Sequence, residues 1–170
     1  MGFWFIPIRV PTEQINIHAD RRLVFQVLTG WGALGLGGKP AAKVLEKDTD
    51  RLLVEFHTPV NMPFGFKTVT RTVEWVTLKE PARIDFEGVK GPIPLLLCRW
   101  TLDEWGNCST FKYDSTFGLH GSFLGWIFGM LFVRPLFRRM MREHLAELRD
   151  TIEARAVRSK LFPQKPCPPE

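Results

Sequence analysis

The chain has 170 residues, 45% hydrophobic and 24% charged, which fits one domain large enough to bury a proper core. Its formal charge of +5 is modest and partly gathered between Arg134 and Lys160, where eight basic residues face four acidic ones. No RNP sequence, zinc finger or basic zipper accompanies that excess, so no nucleic-acid partner is expected. The three cysteines, Cys98, Cys108 and Cys167, cannot all pair within one chain and lack metal-ligand spacing, so we expect reduced thiols and a cytoplasmic setting. The opening MGFWFIPIRVP is apolar but has no basic start and is broken by Pro7 and Pro11, so no export signal is read.

Along the chain, "EQINIHAD" alternates Ile15 and Ile17 as a strand does, then reaches Asp20, a residue suited to capping a helix. "RRLVFQVLT" gathers Leu23, Val24, Val27 and Leu28 on one side of a short helix. The next stretch, "GWGALGLGGK", holds Gly30-x-Gly32-x-x-Gly35, the spacing of a dinucleotide fingerprint. That motif needs a strand before it and a helix after it, whereas here it closes a helix, and Lys39 is followed by Pro40. The nucleotide reading therefore fails on order.

Asp48-Thr49-Asp50 punctuates a hairpin, and "KTVTRTVEWVTL", "ARIDFEGV", "PLLLCRWTLDEW" and "STFKYDSTF" follow as strands, predicting six or seven in an antiparallel sheet. Alternation assigns Leu52, Val54, Phe56, Val69, Val73, Trp75, Ile84, Phe86, Leu96, Trp100, Leu102, Phe111 and Phe117 to the inner face. Glu55, Thr72, Glu74, Asp85 and Lys112 fall on the wet one. Residues 115–133 contain no charged side chain but carry Gly121, Gly125 and Gly129. After completing the last strand they leave about a dozen apolar residues, too few to cross a bilayer about 30 Å thick. Phe137, Met141, Leu145, Leu148 and Ile152 then mark a long amphipathic helix, with a flexible proline-rich tail expected over 161–170 after a single domain over 1–160.

Strand, short helix, glycine-rich break, antiparallel strands and one long terminal helix follow the order of the helix-grip fold. On "INIHADRRLVFQVL", "VEW", "PARIDFEGVKGP" and "FLGWIFGMLFVRPLFRRMMREHLAELRDTIE", the chain resembles the START-like superfamily (SRPBCC), which includes Bet v 1-type proteins, polyketide cyclase/dehydrase-like proteins and lipid carriers. The resemblance spans about 15–155. It implies an α+β fold, a curved sheet wrapped around the long helix, with a cavity between them for a small hydrophobic or amphipathic molecule. It also implies that "GWGALGLGGK" is a flap at the cavity entrance, with Trp31, Leu34 and Leu36 as its apolar contacts.

Alternation places Arg71 inside, where a guanidinium needs a carboxylate, a ligand oxygen or a route to the edge. Cys98, Tyr113 and Ser115 share that face, and Tyr113 is the only tyrosine. His144 lies one residue off the helix stripe. The expected ligand contacts are Trp31, Phe56, Arg71, Trp75, Phe86, Cys98, Trp100, Tyr113, Ser115, Met141, His144 and Leu145. No cofactor is expected, and the histidines have no ligand spacing for a metal.

The leading reading is binding of such a molecule, extending to its transport, without obligatory catalysis. The alternative is a cyclase/aromatase-like enzyme in which Arg71 and Tyr113 polarise a carbonyl and His144 assists proton transfer. A third reading is a peripheral-membrane lipid or quinone carrier docking through 123–133 beside Arg134, Arg138, Arg139 and Arg142. The same patch would serve equally as a homodimer face.

Overall fold

A computed structural model describes residues 6–30, 42–61 and 67–169, with backbone alone for Val60, Asn61, Lys67 and Ser122. The elements in chain order are β1 (Ile8–Ile17), α1 (Arg21–Thr29), β2 (Ala42–Lys47), β3 (Arg51–Asn61), β4 (Lys67–Lys79), β5 (Arg83–Lys90), β6 (Leu95–Trp105), β7 (Cys108–Gly118), α2 (Ser122–Phe128), a π-helical turn (Gly129–Val133) and α3 (Arg134–Arg158). The seven strands form one antiparallel sheet in the order β1-β7-β6-β5-β4-β3-β2. The expected helix-grip architecture is the observed one.

Local chemistry explains most boundaries. The Asp20 carboxylate accepts a hydrogen bond from the Arg22 N–H at 2.8 Å, capping α1 as expected, and the Gly30 N–H closes it onto the Val27 carbonyl. The proposed flap, with Trp31, Leu34 and Leu36, lies outside the described residues. Strand β1 begins at Ile8, five residues before the "EQINI" pattern, and passes through Pro11. Its register against β7 slips between Val10 and Glu13, and an edge strand tolerates proline at such a bulge because no ladder N–H is needed there.

The last helix is a single rod from 122 to 158, because Gly129 and Val133 keep right-handed helical dihedrals where its segments join. A π turn takes more residues per revolution than an α-helix, which keeps Gly125, Gly129, Val133, Phe137 and Met141, spaced by four, on one side. The glycines on that side allow close packing. A Cβ on Gly125 would stand 2.1 Å from the His120 carbonyl oxygen, and one on Gly129 would stand 2.4 Å from Ile8 Cδ1.

Inside the grip, Met141, Leu145, Leu148 and Ile152 of α3 join Val54, Val76, Ile84, Phe86, Leu102 and Phe111 of the sheet in the main core. Ile152 is fully buried, so truncation to alanine would cost about 2–5 kcal/mol. A second cluster of Ile8, Val10 and Phe117, with Trp126, Met130 and Val133 packed on it, lies beneath α2, and Phe137 touches both cores.

The tail is tied to the sheet. Cys167 forms a disulfide with Cys108 at the start of β7, Asn107 reaches the Pro166 carbonyl, and Phe162 packs on the core. Thus the expectation of three reduced thiols is corrected. Two of them are brought together by a return of the chain that neither periodicity nor spacing signals, and only Cys98 is free. The tail also walls a groove of about 280 Å³ beside His18, Asp20, Arg22 and Asn107. Among the described residues no helix is long and apolar enough to cross a membrane.

Candidate ligand site

The phase of β4 decides which side chains face the helix. Its sequence is ambiguous, because Val69, Val73 and Trp75 sit at odd positions while Val76 and Leu78 sit at even ones. The even positions win. Val76 pairs with the inward Phe86 and is fully buried, and Leu78 pairs with Ile84, so Thr72 and Glu74 follow them inward. Val69, Arg71, Val73 and Trp75 therefore occupy the convex face, and the inner placement expected for them is corrected.

Arg71 reaches the Glu55 carboxylate on that outer face, where Glu55 also meets His57 Nε2 at 3.0 Å. The Arg71 hydrogen bond, against some burial, holds the Glu55 carboxyl below its ordinary value. Trp75 lies under the Arg51 guanidinium, 4.2 Å from the ring centre. Neither residue faces the concave side.

The concave face combines an aromatic wall with a small polar cluster. Phe56, Phe86, Trp100 and Phe111 follow one another edge to face or tilted, with successive ring centres 6.0, 4.5 and 5.6 Å apart. Strand pairing sets Trp100 opposite Tyr113 and Cys98 opposite Ser115, and Cys98 Sγ lies 3.3 Å from the Tyr113 hydroxyl. Burial pushes the Cys98 thiol up to about 12, so it is no nucleophile near neutrality. Burial, reinforced by Cys98, also raises Tyr113 well above its usual range and keeps the phenol protonated.

Glu74 is the residue that alternation misassigned. Its carboxyl accepts a hydrogen bond from Thr72 Oγ1 at 2.8 Å, has no cationic partner among the described residues, and is raised by burial against that single bond. Its charge is felt by both Cys98 and Tyr113. Reading the Val76–Leu78 phase back along β4 would have found it. The indole N–H of Trp100 is buried on the same face with no hydrogen-bond partner among the described residues.

Of the expected contacts, the fold gathers Phe56, Phe86, Cys98, Trp100, Tyr113 and Ser115 on the concave face, with Met141 and Leu145 on the helix opposite. His144 does not join them. The residue is exposed on α3, and the protein around it lowers its pKa by desolvation while Glu147 opposes. Trp31 lies outside the described residues. No three His, Cys, Asp or Glu side chains converge into a metal site among the described residues.

No protein-family model matches the sequence, and no curated protein matches it. Solved structures do match in fold. An aromatase/cyclase from a Streptomyces species, Zhui, superposes with a TM-score of 0.71 at 14% identity over 88% of this chain and 96% of that one. The two-domain aromatase/cyclase BexL gives 0.64 at 18% identity over 86% of this chain, which spans 50% of BexL's length. Ara h 8.0201 gives 0.60 at 10% identity, covering 91% of this chain and all of that one. A START superfamily protein from Mycobacterium smegmatis gives 0.57 at 14% identity, covering 87% and 97%. With an antiparallel seven-stranded sheet curved about a terminal helix, the chain has the helix-grip fold that these START-like and Bet v 1-like proteins share.

Proposed function

We propose that the chain binds a small, largely apolar molecule that carries an oxygen function, between the concave face of the sheet and α3. The carrying observation is the unpartnered Trp100 N–H, set beside the protonated Tyr113 hydroxyl and the Glu74 carboxyl within an aromatic wall. A buried donor with no partner costs about 1–3 kcal/mol, a cost that a ligand oxygen would relieve. The aromatic wall supplies apolar contact, and the polar cluster fixes orientation.

The first test is native mass spectrometry of gently purified protein, followed by denaturing extraction and identification of what it carries. Tryptophan fluorescence titration with the extracted compound then compares variants. Tyr113→Phe and Glu74→Gln are each expected to weaken binding about tenfold, one hydrogen bond's worth, and Arg71→Met to leave it unchanged. Equal affinity in all four proteins would overturn this reading.

A second reading, an enzyme acting on a bound carbonyl compound, is favoured by the raised carboxyl near the phenol. In it Tyr113 donates a hydrogen bond to the carbonyl oxygen, and ionised Glu74 takes the proton from the adjacent carbon. Arg71 and His144 take no part. Solvent deuterium incorporation at that carbon, abolished by Glu74→Gln, is the expected signature; a bound ketone that exchanges no faster than in buffer excludes it.

A further inference from the structure

The rod formed by α2, the π turn and the start of α3 turns an apolar ridge to solvent. Phe123, Leu124, Phe128, Leu131, Phe132 and Leu136 are each at least 36% exposed, and several exceed 60%. The opposite side of the rod is filled by Gly129, Trp126 and Met130 against β1 and β7 and by Gly125 against the backbone of Leu119 and His120. These six large side chains are therefore not a core turned the wrong way, but a second apolar face added to a helix already packed. Along an α-helical rise the ridge runs about 20 Å.

We propose that this ridge docks on an anionic lipid bilayer, lying in its interface rather than crossing it. Charge selects this occupant. From Ser115 through Arg142 the sequence has no acidic residue, and the apolar ridge passes directly into Arg134, Arg138, Arg139 and Arg142. Glu13 engages Arg138 and Arg142, and Glu143 engages Arg139, so two acids answer three of the four arginines and the rim stays net positive. The Arg134 Nε has no hydrogen-bond partner among the described residues.

Such a rim fits phosphate headgroups while the phenyl and leucyl side chains enter the acyl boundary. A second copy of the chain, packed ridge to ridge, would bring four more arginines and no acidic residue from 115–142 to answer them. The ridge is also too short and too one-sided to span.

The ridge is continuous with the candidate site. Beneath it, the Phe117 and Phe137 ring centres lie 6.2 Å apart, and those of Phe137 and Tyr113 lie 6.5 Å apart. Aromatic contacts therefore run from the docking face to the polar cluster. Docking stands without the ligand-binding reading. Its use, the exchange of an apolar ligand with the bilayer, rests on that reading.

The test is flotation of the full chain with vesicles of phosphatidylcholine alone and of phosphatidylcholine mixed with phosphatidylglycerol. The protein is expected to float with the mixed vesicles and much less with the neutral ones. Phe128→Ser with Phe132→Ser should reduce partitioning at least tenfold, since two exposed rings 5.2 Å apart are lost without touching the core. Arg139→Gln should weaken binding to mixed vesicles about fivefold and leave neutral vesicles unaffected, the effect of one basic residue at such a surface.

Failure to float with either vesicle overturns the proposal, whatever the protein carries. So does sedimentation as a dimer that the Phe128→Ser, Phe132→Ser variant dissociates, which would make the ridge a self-association face. A ligand extracted from a protein that never floats would preserve the binding reading and remove this one alone.

Discussion

Glu55 and Glu74 stand on neighbouring strands, 7% and 8% exposed, yet their carboxyls are displaced in opposite directions. Glu55, on the convex face, has a guanidinium and an imidazole against it, and its charge is held. Glu74, on the concave face, has one threonine hydroxyl, so its neutral form is favoured. Similar solvent exposure thus says little about a carboxyl's state: Glu74 is desolvated by protein packed around it with one hydroxyl in answer, whereas Glu55 is covered by its own cationic partners. One face of β3 and β4 stores a charge for structure, and the other makes a charge costlier where a ligand would lie.

The strongest way to break this contrast is to move the charge. Glu74→Lys would bury an ammonium among Phe86, Cys98 and Tyr113 with no anion beside it, and we expect a loss of at least about 3 kcal/mol in denaturant unfolding. Little or no loss would mean that Glu74 is reached by water.

Next is Glu74→Gln. Because the folded state holds this proton more tightly than the unfolded chain, the stability it contributes is fully present below its ordinary pKa of 4.5 and is lost as pH rises through the raised folded value. The variant should therefore gain on the wild type at the alkaline end and match it near pH 4, as read from melting curves across pH. A difference independent of pH would contradict a raised Glu74.

Glu55→Gln should do the reverse, with a smaller effect. The wild-type carboxyl, held below 4.5, stabilises the fold above that value and loses its contribution as pH falls through the lowered one. The variant should lose stability at neutral pH and converge with the wild type in acid. Arg71→Met is the smallest perturbation for ligand binding: no change in affinity, with a modest fall in melting temperature from the unpaired Glu55. A drop in affinity would place a ligand on the convex face.

The same two strands show how far the sequence could be read. The Asp48–Asp50 hairpin, the Asp20 cap and the Met141–Ile152 stripe rest on local rules, and each is found in place. Strand β4 obeys no single local rule, because Trp75 and Val76 are adjacent apolar residues and either phase could be chosen. The choice is made by Phe86 and Ile84 on β5, a contact between strands that one-dimensional alternation cannot see. Hence Arg71 and Trp75 were expected inside and Glu74 outside. The aromatic wall was legible because Trp100, Phe111 and Tyr113 alternate cleanly against charged neighbours. His144 was not, since one position off a helical stripe can mean either flank.

The Cys108–Cys167 bond makes the last third of the chain a covalent ring that includes β7 and the whole terminal helix. Closing a loop across 59 residues restricts the unfolded chain by about 4 kcal/mol in the chain-entropy view, a large part of the 5–15 kcal/mol that holds a typical domain together. Such bonds persist where the surroundings are oxidising. The tail end of α3 is thereby kept covalently beside the first residues of β7, while its other end is held by packing on Ile8, Val10 and Phe117 and by the Glu13 pairs to Arg138 and Arg142. A reductant would lower the melting temperature by releasing the first anchor while leaving the second in place.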